Sequence, residues 1–197
     1  MSYSIESNFW SDCNNVEKPA HEKIYARVYS KLIEAGWKVE VVHDKERQKL
    51  GIDVIVSSAD GKVGAYIDEK AREKQSTNTF GLELSNNYEW NGGKRTPGWF
   101  LDETKVTTHY MFYYQEGKDE YVMHVDAKKL KEKIYSIADR NVLLNSAWGD
   151  EMLSAGIANE IKGAFILQDK KRQEHGRFLI LPLDFYRSLE GSKEFKL

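Results

Sequence analysis

The chain has a single cysteine, no net positive charge and no long apolar run. Cys13 alone excludes an intramolecular disulfide framework and fits a reducing compartment. A formal charge of -2 excludes a polybasic coat, so any nucleic-acid contact must come from a local patch. No stretch approaches the roughly 18–20 apolar residues of a membrane span, and the segment Met1 to Glu6 has no basic start leading into an apolar one. The expectation is a cytoplasmic protein with no membrane partner. Signature loops are missing as well: there is no Walker loop, Gly-x-Gly-x-x-Gly, Gly-x-Ser-x-Gly or Cys-x-x-Cys. P-loop hydrolysis, dinucleotide redox, serine-hydrolase chemistry and zinc-ribbon folding therefore lack their usual signs. Internal repeats, low-complexity tracts and interdomain linkers are also absent from the sequence.

What is present is an ordinary globular composition. The 197 residues are 41% hydrophobic and 30% charged, enough for one domain with a proper core. Residues 1–18 read as a lead-in anchored by Phe9 and Trp10, and residues 19–197 as a single domain. Pro19 opens a helical pattern carried by Ile24, Val28, Leu32 and Ala35, and Gly36 closes it. The run from Trp37 to Val42 alternates as a strand does, and 43–49 is a charged connector, either substrate-facing or a solvated turn.

The informative stretch runs from Gly51 to Lys70. Two apolar runs flank Ala59-Asp-Gly-Lys62, a strong hairpin signal. A register centred on Asp60 and Gly61 sets Asp53 opposite Asp68. Directly opposed side chains of an antiparallel pair lie roughly 4.5–5.5 Å apart at Cβ, where like charges repel. A divalent cation between the two carboxylates would relieve that repulsion. Residues two apart on a strand share a face, so Lys70 joins Asp68 and Glu69 points away. Two carboxylates and one ammonium suit phosphodiester hydrolysis, with a metal to polarise the phosphate and a lysine to orient water. Charge alternation on a solvated strand face also yields Asp-x-Lys.

Gly-Ile-Asp53, one hairpin, then Ile-Asp68-Glu-Lys70 resembles the signature of the PD-(D/E)xK nuclease superfamily. Ile52 stands where that signature often has proline. The resemblance covers roughly residues 20–70. It implies a restriction-endonuclease-like core: an α/β (α+β) fold with a mixed, largely antiparallel central sheet flanked by helices. It also implies that Asp53 and Asp68 bind Mg²⁺ or Mn²⁺ with the backbone carbonyl of Glu69, and that Lys70 sits by the attacking water. The family often adds a glutamate from the first helix. Glu22 is the candidate and Glu17 the weaker one, although the helix dipole alone favours acids in a first turn.

Further candidates follow the motif. Arg72 and Lys74 leave its strand and could hold phosphates. Glu83, on the polar face of an alternating strand at 79–85, is either a further metal ligand or solvent-facing. Residues 86–97 read as a loop in which Trp90 with Lys94 and Arg95 could grip nucleic acid, or Trp90 could plug the core. A second hairpin turns at Gly117, leaving 79–126 rich in strands where the family commonly has a helix. Asp126 caps a lysine-rich helix at 127–140, and a second helix spans 149–162 despite Gly156. Strands close the chain at 164–167 and 177–183, around a basic connector with Lys170, Lys171, Arg172 and Arg177 as phosphate contacts. Pro182 marks an edge or an end of the last strand. His109 and His124 read as plain structural histidines. The expected activity is a metal-dependent nuclease, with DNA the first choice of substrate and a homodimer as one assembly. The alternative is a binding module on the same scaffold.

Overall fold

A computed structural model describes residues 16–72, 78–87, 95–145, 149–168 and 176–197. Phe9, Trp10, Lys74, Trp90, Lys94, Lys170, Lys171 and Arg172 lie outside the described residues. In chain order the elements are α1 (Lys18–Ile24), a π-helical segment (Tyr25–Tyr29), α2 (Ser30–Glu34), β1 (Lys38–Val41), α3 (Lys45–Lys49), β2 (Val54–Ser57), β3 (Val63–Ala71), β4 (Thr79–Asn87), β5 (Arg95–Pro97), β6 (His109–Glu116) and β7 (Asp119–Asp126). Then come α4 (Ala127–Tyr135), α5 (Arg140–Asn145), α6 (Asp150–Glu160), β8 (Phe165–Gln168), β9 (Arg177–Pro182), α7 (Leu183–Ser188) and β10 (Lys193–Lys196). The architecture is α+β, with helices flanking a mixed, largely antiparallel six-stranded sheet and a second, four-stranded sheet.

Residues 19–197, read as one domain from the sequence, distribute over two compact units. The first comprises Met1–Thr77, Lys105–Lys128 and Glu190–Leu197, and the second Asn78–Thr104 and Lys129–Leu189.

The first unit holds the sheet β1-β2-β3-β6-β7-β10. Only β3 and β6 pair in parallel, and such a pair needs a long crossover. Here residues 72–108 supply it, including the first piece of the second unit. Ala20, Ile24 and Val28 recur at helical spacing and pack with Val54, Val56, Ile67, Met111, Tyr113 and Val122 in one core cluster. The helix therefore covers the sheet face to which the odd-numbered residues of β3 belong.

The β2–β3 register matches expectation where it matters: Val54 opposes Ile67, and the Asp53 N–H donates to Ile67 O at 2.8 Å, so Asp53 faces Asp68. Nearer the tip, Ser57 pairs with Val63 and Val56 with Ala65, leaving Gly64 as a bulge. Gly64 suits this position because an added Cβ would stand 3.1 Å from the Trp37 ring. The turn is one residue off the expected centre, and the bulge restores the register before the acidic pair.

The second unit is an antiparallel sheet, β5-β4-β9-β8, with Phe80, Leu82, Leu84, Leu179 and Leu181 buried. Three expectations are corrected. Residues 45–49 are a short helix because the Asp44 carboxylate caps the Arg47 N–H. The ends of the 86–97 loop belong to β4 and β5. Arg177 is no phosphate contact: it is 2% exposed and its fork grips Asp150 at 2.6 and 3.2 Å, with further bonds to Leu143 O, Leu144 O and Ser85 Oγ. Pro182 is the last residue of β9, an interior strand, so its meaning is an end and not an edge.

Candidate active site

In the first unit α1, β1, the Asp53 turn and β3 enclose a cleft of about 390 Å³. Its walls carry Glu17, Lys18, His21 and Glu22 from the helix, His43 and Gln48 beyond β1, and Asp53, Glu69 and Lys70 from the hairpin. Asp68 lies under the wall, 3% exposed, beside the turn where Thr107 Oγ1 donates to Gly51 O. Gly51 makes that turn possible. Its φ is +77°, and a Cβ there would fall 2.4 Å from Thr107 Oγ1 and 3.6 Å from Asp68 Oδ2.

The hairpin brings Asp53, Asp68 and Lys70 together as expected. Lys70 Nζ donates to Asp68 Oδ1 at 2.5 Å, while Asp53 Oδ2 accepts from the Glu69 N–H at 2.8 Å. The charges record the crowding. Burial, then the neighbouring Asp68, pushes the Asp53 carboxyl from 3.8 up to about 7, against the pull of Lys70 and the Glu69 N–H. Burial works against the Lys70 ammonium, yet the Asp68 and Asp53 carboxylates outweigh it and raise its pKa.

Glu69 points to the helix side, as strand alternation requires, and finds two partners there. Its Oε1 accepts from Tyr29 OH and its Oε2 meets His21 Nδ1, each at 2.7 Å. The hydrogen bond to Glu69 raises the His21 pKa despite burial, helped by the charges of Glu69, Asp53 and Glu22. Burial and then Glu69 hold the Tyr29 hydroxyl well above its usual value.

No family model, curated protein or solved structure matches this chain.

The remaining candidates divide by unit. Glu22 and Glu17 line the cleft. Arg72 follows β3, its N–H bonded to Tyr113 O. Glu83 and Arg95 belong to the second unit. There Glu83 Oε2 accepts from the Trp99 N–H at 3.3 Å, and Gly98 approaches its backbone so closely that a Cβ would fall 2.6 Å from Glu83 O. Burial and then Arg177 lower the Arg95 pKa. His109 and His124 stack with ring centroids 4.8 Å apart, and burial, then His109, lowers His124 to about 4.

Sequence reasoning missed His21, Tyr29 and His43. The signal for the first two was the helix itself, since His21 follows Ala20 on a face that has to meet β3. Among the described residues no group of three or more His, Cys, Asp or Glu side chains is arranged to hold a metal. The donors available to a hard cation at this place are two carboxylates, Asp53 and Asp68, and backbone carbonyls such as that of Glu69. The raised Asp53 pKa shows that the pair lacks positive charge, which is the property a cation would supply.

Proposed function

We propose that this chain is a divalent-metal-dependent nuclease that hydrolyses phosphodiester bonds, with DNA as substrate. The observation that carries the reading is the pair Asp53 and Asp68 set face to face beside Lys70 at a cleft. The order helix, strand, acid-bearing hairpin supports a restriction-endonuclease-like core. Asp53, Asp68 and the Glu69 carbonyl would hold Mg²⁺ or Mn²⁺, with Glu22 as an outer ligand. Bound there, the metal would polarise the phosphate and acidify water.

The chain's own residues do the rest. Asp53 and Asp68 give up their protons and present oxygens. Lys70, released from Asp68, turns its ammonium to the attacking water or to the charge growing on the phosphate. The water oxygen bonds to phosphorus, the bond to the leaving oxygen breaks, and the proton of the water passes to solvent. Arg72, Arg95, Lys74, Lys94, Lys171 and Arg172 supply phosphate contacts in this reading. No described helix is long and apolar enough to cross a membrane. A cytoplasmic setting and a homodimer for double-strand cutting complete the proposal.

One observation favours a rival. Lys70 closes on Asp68 at 2.5 Å, an arrangement that a non-catalytic binding module would also keep. Calorimetric titration of Mg²⁺ and Mn²⁺ into wild type, Asp68→Ala and Lys70→Ala, with cleavage assays on the same samples, separates the two. The nuclease reading expects metal binding lost in Asp68→Ala alone and cleavage lost in both. Failure of wild type to bind metal, even with DNA present, leaves the binding module.

A further inference from the structure

The nuclease reading leaves unused the best-organised polar cluster in the first unit, the one formed by His21, Glu69 and Tyr29. Both Glu69 oxygens are taken, and the carboxylate is nearly enclosed, its side chain 12% exposed. Such an acceptor fixes the proton of His21 on Nδ1. Nε2 is then the ring nitrogen left for the cleft, whose wall His21 forms with its side chain 27% exposed.

The helix is distorted to achieve this. In an α-helix residues eight apart, such as His21 and Tyr29, stand about 80° out of register. Between them lies the π-helical segment, closed by the bond from the Ser30 N–H to Tyr25 O. Its wider turn uses fewer degrees per residue, which brings His21 and Tyr29 to one side, both on Glu69. A π-helical turn weakens backbone geometry, and segments of this kind are frequent at functional sites. A helix that merely covered the sheet had no need of it.

We infer that His21 grips a phosphate oxygen of the bound nucleic-acid strand through Nε2, and that Glu69 and Tyr29 are its positioning residues. The inference rests on the nuclease reading and adds a substrate contact to it. The chemistry favours phosphate over a sugar or base. The cleft wall is rich in carboxylates, Glu17, Glu22 and Asp53, so a polyanion enters only where cationic donors face it, and from the helix those are Lys18 and His21. Glu69 does not repel the strand, because its oxygens are already bonded. The raised His21 pKa keeps the ring cationic close to neutrality. Asp53 and Lys70 line the same cleft, so the phosphate held by His21 neighbours the one that is cut.

The test is binding of a short DNA duplex, read by fluorescence anisotropy at a series of NaCl concentrations with Ca²⁺ as a non-cleaving metal. His21→Gln weakens binding about tenfold, the loss of one charge-assisted hydrogen bond. It also lowers the slope of log affinity against log salt by about 0.9, the signature of one phosphate contact. Glu69→Gln weakens binding in the same direction, and in a His21→Gln background it adds nothing further, because it acts through His21. Ca²⁺ binding, measured by calorimetry, is unchanged in both. Wild-type binding with an unchanged affinity and slope in His21→Gln overturns the inference and leaves the nuclease reading standing. A Glu69→Gln effect that adds in full to that of His21→Gln overturns the positioning role. A wild type that binds no duplex with Ca²⁺ removes the nuclease reading and this inference with it.

Discussion

Replacing Asp53 by asparagine stabilises the metal-free protein, and the gain grows with pH. The Asp53 carboxyl has a folded-state pKa of about 7 against 3.8 unfolded. An acid with a raised folded pKa keeps its proton in the folded chain after the unfolded chain has lost it. Its contribution to stability is therefore full below about pH 4, falls by about 1.4 kcal/mol per pH unit between about pH 4 and 7, and is gone above that. Asparagine has no such loss. Its carbonyl still accepts from the Glu69 N–H, and its amide can donate to Asp68. From about pH 5 to pH 8 the variant's advantage should widen by up to about 2.5 kcal/mol, and by less where Asp68 and Lys70 take up part of the charge. His21, whose pKa is also raised, loses stability in the same direction as pH climbs past 6.5, so the comparison has to be variant against wild type. Urea titrations in EDTA at pH steps across that range, followed by tryptophan fluorescence, read the difference directly. An Asp53→Asn variant destabilised by one constant amount at every pH would refute the reasoning, because it would mean that the carboxyl is ionised throughout.

Three further outcomes follow from the same coordinates. Lys70→Met should bind Mg²⁺ at least as tightly as wild type in calorimetry, since the ammonium it removes competes for Asp68, while cleavage falls on the order of a hundredfold. Asp150→Ala strands the enclosed Arg177 guanidinium and should cost about 3–5 kcal/mol in urea unfolding; a loss under 1 kcal/mol would show that water reaches that fork. Gly51→Ala combines a φ of +77° with a Cβ 2.4 Å from Thr107 Oγ1, and should cost about 2 kcal/mol or more and weaken metal binding by moving Asp68. Calorimetry that finds its Mg²⁺ affinity intact would uncouple the turn from the acid pair.

The acidic pair was legible because it depends on local rules. An Asp-Gly turn fixes a register, strand alternation fixes the faces, and Asp53, Asp68 and Glu69 all lie where those rules put them. The Gly64 bulge was not legible, since it depends on Trp37 arriving from outside the hairpin. The His21–Glu69–Tyr29 cluster was missed because regular helical periodicity separates its two helical members. Arg177 was misread for another reason: it follows a run of basic residues, and no sequence pattern signals that Asp150 will come to meet it. The strand β10 escaped notice because all four of its residues are exposed, so its pairing with β7 leaves no apolar alternation. The second sheet joins 79–97 to 165–182, a pairing between distant segments that periodicity cannot reveal.

The interleaving of the two units bears on how this protein is made. The chain passes from one unit to the other four times, after Thr77, Thr104, Lys128 and Leu189. The acid-bearing hairpin leaves the ribosome early, but its parallel neighbour β6 emerges only after the first part of the second unit, and β10 only after the rest of it. A nascent chain therefore carries β3 with one edge bare while other segments appear, and bare strand edges invite wrong partners. Neither unit can be expressed as one continuous fragment. A shortened gene that ends before Lys193 would leave the outer edge of β7 uncovered, so truncation for production should spare the last strand.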